Sequence, residues 1–91
     1  MDNSTRKTLA VILSLLEEAQ ERLSDESMSQ VRDAADAEQE KFDNMTPGLQ
    51  AGERGQKIEA AASALSSAAD EIEQASTALD EAIGHLNEAT E

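Results

Sequence analysis

"IEAAASALSSAADEIEQASTALDEAIGHLNEA", from Ile58 to Ala89, is the stretch on which the fold turns. Its large aliphatic residues stand at Ile58, Leu65, Ile72, Leu79 and Leu86, seven apart without a slip. An alanine follows each of them by three: Ala61, Ala68, Ala75, Ala82 and Ala89. A seven-residue apolar repeat paints one stripe along a helix and asks for a second helix to cover it. The frame reads as Ile or Leu at a and Ala at d, with Ala62, Ala69 and Ile83 widening the stripe. Alanine buries little area, so each such heptad stabilises less than a leucine heptad. In exchange, helix axes can approach to the low end of the usual range, about 8–10 Å.

The first half of the chain supplies the covering helix. Leu9, Ile12, Leu16, Ala19 and Leu23 repeat the a/d spacing, with Asn3, Ser4 or Thr5 as the cap. Beyond "SDESMSQ" (Ser24 to Gln30), Val31, Ala35, Phe42 and Met45 continue the stripe about one residue out of phase. A stutter in a continuous helix accounts for this, and so does a break with Ser24 or Asp25 capping a new helix. The absence of Gly and Pro favours continuity. The expected fold is all-α: one domain over residues 1–91, a long antiparallel helical hairpin or two-helix coiled coil. Its helices run over about 5–45 and 53–89, with a loop at about 46–52.

The charges test this register. In an antiparallel pair, facing residue numbers total a nearly constant value, here roughly 100 for a turn near residue 50. Lys41 then faces Glu59, Asp43 faces Lys57, Arg32 nears Asp70 and Glu71, Arg22 nears Asp80, and Arg6 and Lys7 near Glu91.

The stretch "KFDNMTPGLQAGERGQKIE" (Lys41 to Glu59), which spans the loop, holds the chain's single Phe, its single Pro and three of its four Gly. Thr46-Pro47-Gly48 stops a helix, through proline's missing donor and a glycine at positive φ. Gly52 stands where the next helix needs a cap, with Glu53 suited to its N-terminal dipole. Phe42, Met45, Leu49 and Ile58 can close the tip as an apolar plug. Either the stretch is turn chemistry, or Phe42, Met45, Leu49, Gln50 and Arg54 form a recognition tip.

"EQEKFDNMTPGLQAGERGQKIE" also resembles small, acidic, uncharacterised proteins encoded by bacteriophages and prophages. In these, a "KFDNMP-x-x-LQ-x-x-ERG" segment joins two long helices. The likeness covers roughly Glu38 to Leu65. This chain differs in having Thr46 before Pro47, and Gly52 where a serine is usual. The resemblance implies a helical hairpin and a mobile-element origin, and it carries no catalytic residues.

Composition narrows the function. Twenty acids against seven bases give a net charge of −13. Direct DNA binding is excluded on that ground, since neutralising phosphates takes Lys and Arg. Anionic membranes are repelled as well. There is no Cys, and Phe42 is the only aromatic, so thiolate metal sites and base-stacking platforms are excluded. The run "LAVILSLL" (Leu9 to Leu16) is too short to span a bilayer and is followed by acids. No signal peptide is expected, and the expected location is the cytoplasm, that of the host if the gene is a phage's.

Chemistry-bearing constellations are sparse. His85 has Glu81 and Glu88 on its helical face, which is weak as a metal site because surface acids around a lone His are normally solvated. A two-helix hairpin has no dry pocket to shift carboxylate pKa values, and no Ser-His-Asp or phosphate-loop pattern occurs. No enzyme, metal or cofactor is expected.

Two surfaces remain as candidates. Leu9, Val11, Ile12, Leu13, Leu15 and Leu16 cover more than one helical face, and Ile83 and Leu86 mirror them. Homodimerisation into a four-helix bundle would cover the surplus, and docking on a host protein is the alternative. After Lys57 there is no Lys or Arg, while eight acids follow. Asp70, Glu71, Glu73, Asp80, Glu81 and Glu88 form either a solvated face or a surface that imitates nucleic-acid charge. The expected function is a non-enzymatic protein–protein interaction module: a small phage or mobile-element factor that inhibits or redirects a basic, nucleic-acid-binding host protein. A structural coiled-coil scaffold is the alternative.

Overall fold

The computed structural model describes residues 1–23 and 25–91. The chain is a bent helical hairpin of four α-helices: α1 (Asn3–Arg22), α2 (Asp25–Asp43), α3 (Pro47–Ala51) and α4 (Glu53–Ala89). No strand occurs among the described residues. The rod measures 67 × 18 × 15 Å. α1 and α2 form the first arm, and α4 runs back along both. No described helix is long and apolar enough to cross a membrane.

The second arm has the bounds that its periodicity predicts. The first arm does not: α1 and α2 replace the single helix expected over 5–45. The break falls where the apolar stripe changes phase. Leu23, with φ −90° and ψ 34°, closes α1 by donating its N–H to the Ala19 carbonyl. The Ser27 hydroxyl then bonds to the Arg22 carbonyl at 3.2 Å, which satisfies a helix-end acceptor. The alternative cap at Ser24 lies outside the described residues. At the start of α1 the cap is Asp2, whose carboxylate accepts from the Thr5 N–H at 2.7 Å. Asn3, Ser4 and Thr5 are already helical.

The seam of α4 is shifted by one residue from the expected frame. Ala61, Ala75 and Ala89 are exposed, and Ala68 and Ala82 only half-buried. The covered partners of the large aliphatics lie four residues on, at Ala62, Ala69, Ser76, Ile83 and Thr90. The aliphatics therefore occupy d, and the small residues occupy a. Carried back one heptad, this frame reaches Gly55, which is buried.

The mirrored register holds along the rod: Arg6 donates to the Thr90 carbonyl, Gln20 to Asp80, and Arg32 to Asp70 and Glu73. Other expected cross-arm pairs are replaced by local ones. Lys41 bonds Glu38, Lys57 bonds Glu53 and Arg22 bonds Glu18. A partner three or four positions away on the same helix costs a long side chain less reach than one across the seam.

The turn between the arms is itself helical. Thr46 is the N-cap of α3 and Pro47 its first residue, where a missing N–H costs nothing. No residue of the loop takes a positive φ, so Gly48 does not stop the first arm in the way expected, whereas Gly52 is the N-cap of α4 as expected.

Candidate functional site

At the tip, the glycine that matters is Gly55. A Cβ built there would lie 2.5 Å from both the Leu49 and the Gln50 carbonyl oxygens. The first turn of α4 thus presses directly on the end of α3. Gln50 completes the joint: its amide donates to the Phe42 carbonyl at 2.9 Å, and its own carbonyl accepts from the Gln56 side chain at 3.1 Å. Phe42, Met45 and Ile58 are half-buried. Leu49 is 60% exposed, so it lies outside the expected apolar plug. Gln50 is a structural strut, while Leu49 and Arg54 are open to a partner. Gly55 escaped the sequence reading, although the shifted heptad frame points to it.

The acids of α4 fall into two groups. Asp70 and Glu73 both take the Arg32 guanidinium, at 3.2 and 3.0 Å, and Asp80 accepts from Gln20. These three lean toward the first arm and hold it in register. Glu71, Glu81 and Glu88 are exposed and make no ion pair among the described residues. The expected six-residue acidic face is thus divided between zipper and surface.

Five of the eight residues expected at a dimer interface belong to the hairpin's own seam. Leu9, Leu13, Leu16, Ile83 and Leu86 are half-buried between α1 and α4. Val11, Ile12 and Leu15 stay outside it, with 62%, 41% and 59% of their surface exposed. Together they make an apolar strip on the outer side of α1.

Two depressions lie along α4. One is lined by Asp70, Glu73, Gln74, Thr77, Ala78 and Glu81, all from α4. A single helix cannot wall a reactant off from water. The other lies where α2 meets α4 and gathers Asp36, Gln39, Ser63, Ser66 and Ser67. No histidine or lysine stands there to take a serine proton. Among the described residues, no three His, Asp or Glu side chains are grouped to hold a metal ion, His85 included.

No protein-family model matches the chain, and neither a curated protein nor a solved structure matches it significantly.

Proposed function

We propose that this chain is a non-enzymatic protein–protein interaction module, a small phage or mobile-element factor that binds a basic, nucleic-acid-handling protein in the host cytoplasm. The observation that carries this reading is the outer side of α4. Beyond Lys57 it has no base, and Glu71, Glu81 and Glu88 stand exposed along it without ion-pair partners among the described residues. The likeness of the loop to phage proteins supports a host protein as the partner. The rod acts as a homodimer, a four-helix bundle in which the apolar strip on α1 is covered.

Magnitudes define how far the charge imitation goes. A net −13 over 67 Å is one charge per about 5 Å, against about 1.7 Å in duplex DNA. The rod is a diluted polyanion. It suits a basic groove that tolerates sparse contacts better than a site that counts phosphates.

The test is affinity capture from host lysate, with competition by duplex DNA and with a Glu71→Gln, Glu81→Gln, Glu88→Gln triple variant. The expected partner is basic, is displaced by DNA, is released by salt, and is lost by the triple variant. A partner that the triple variant and high salt leave bound would overturn the reading.

The alternative is a coiled-coil scaffold, favoured by the thin core, in which only Ala35, Ala62 and Ala69 are buried apolar residues among those described. Salt separates the two readings through the partner alone, since contact between copies is common to both. Screening weakens attraction to a basic partner and strengthens contact between copies that each carry −13.

A further inference from the structure

We infer that one long side of the hairpin, bearing Ile12 and Leu15 on α1 and Ala75 and Ala82 on α4, is the contact face for a second copy of this chain. The inference rests on the homodimer proposed above and is independent of the acidic partner.

The two sides of the rod differ in chemistry. The bonds from Gln20 to Asp80 and from Arg32 to Glu73 mark one side as polar. The seam residues of α4 are Ala62, Ala69, Ser76, Ile83 and Thr90. One position before each stands an alanine, at 61, 68, 75, 82 and 89. On α1, Ile12 and Ala19 likewise precede the half-buried Leu13 and Gln20. In an antiparallel pair these preceding positions face the same way, away from the polar bonds. The alanine line therefore shares one side with exposed Ile12 and Leu15, which precede the half-buried Leu13 and Leu16. The line that looked like the seam of the hairpin is the flank of a second seam.

Area indicates what covers it. A compact monomer of 9.7 kDa exposes about 5,100 Å² by the usual size scaling, and this rod exposes 6433 Å². The surplus, about 1,300 Å², exceeds the roughly 800 Å² that each partner buries in a standard interface. Charge selects a copy of the same chain. Two molecules at −13 repel, so they must meet where acids are fewest, and of the α4 residues three or four positions from these alanines only Glu71 is acidic. A flat face of small residues is also self-complementary, as a two-fold contact demands.

Sedimentation equilibrium on three chains tests this. Wild type should be dimeric, and Ala75→Glu should weaken the dimer at least about tenfold while the circular-dichroism helix signal is kept. Ala75 is exposed, and glutamate is a good helix former, so the hairpin itself should survive. Ser66→Glu, on the polar side, should leave the dimer within about twofold. A second readout uses the absence of native cysteine. Ala75→Cys should form an intermolecular disulfide readily, and Ser66→Cys should not. A wild-type chain that is monomeric at about 1 mM overturns both this face and the proposed homodimer, leaving the strip to a different occupant. A dimer that withstands Ala75→Glu but yields to Ser66→Glu, or that cross-links in the Ser66→Cys chain, overturns this face alone.

Discussion

Where α2 runs along α4, alanines are buried; where α1 runs along the same helix, leucines are not. Ala35, Ala62 and Ala69 lie at 7%, 3% and 0% exposure, whereas α1 has no buried residue despite Leu9, Leu13 and Leu16. The contrast is geometric. Two helices that touch can enclose a methyl group between them, but a leucine side chain projects past the line of contact. It stays half in water unless a third helix arrives. The loop end of the rod therefore holds the enclosed alanines, and the open end has leucines that a single partner helix covers only in part. The exposed strip of Val11, Ile12 and Leu15 lies at that open end.

The comparison breaks first at Gly55. Alanine is ordinarily better than glycine inside a helix by about 1 kcal/mol. Here its Cβ would stand 2.5 Å from two backbone oxygens, which cannot swing away as a side chain would. We expect Gly55→Ala to lose about 2–3 kcal/mol in urea unfolding, as overpacking does. Gly48→Ala is the control: its Cβ meets nothing within 4 Å, and it should cost nothing or stabilise slightly. A Gly55→Ala chain as stable as wild type would mean that the loop end is not close-packed.

Size changes of opposite sign sharpen the contrast. Ala69→Leu enlarges a fully covered position and should cost about 1–3 kcal/mol by prising α4 from α2. Leu13→Ala, at a half-covered position in the α1 seam, should cost about 1 kcal/mol, roughly half of a full leucine burial. Equal costs for the two would show that both ends are packed alike. Below these lies Arg32→Ala. It removes the ion pairs to Asp70 and Glu73, but the side chain is 40% exposed and solvent screens it. A loss of about 0.5 kcal/mol, vanishing in high salt, is expected from denaturation curves at two ionic strengths.

Much of this arrangement was legible, and the exceptions have physical causes. The hairpin, its register and the bounds of α4 follow from the unbroken seven-residue spacing of Ile58, Leu65, Ile72, Leu79 and Leu86. The phase of the small residues does not, because alanines follow Ile58 and Leu65 at both three and four positions. With Ser76 and Thr90 on the true seam, the regular alanine line beside it looked the better candidate. The backward extension decides between them: one frame reaches Arg54, which no close-packed tip can hold, and the other reaches Gly55. The break in the first arm was visible as a phase shift only. No Gly or Pro marks it, since a single serine bond to the Arg22 carbonyl serves as the terminator. In the candidate acidic surface, charge showed the residues but not their direction. The mirrored register already brought Arg32 near Asp70, but its second partner is Glu73 and not the expected Glu71.

The smallest effect belongs to Asp2, and it probes whether the two ends are energetically separate. Its carboxylate caps α1 and is held below the ordinary value of 3.8, chiefly by the bond from the Thr5 backbone N–H, with the Thr5 hydroxyl adding to it. Because the folded value is depressed, the cap's contribution is present above the unfolded value and fades as pH falls through the lower one. Asp2→Ala should therefore speed hydrogen exchange at the Thr5 and Arg6 amides at neutral pH. Wild type should lose that protection on acidification, and Asp2→Asn, an uncharged cap, should not. The amides of α2 and of the first half of α4 should be untouched throughout. Their enclosed alanines do not depend on how firmly α1 is started, since helices held by few buried contacts open locally rather than globally. Loosening that reached Ala35 or Ala62 would make the rod one cooperative unit, and the difference between its ends would then be one of side-chain size without a difference in stability.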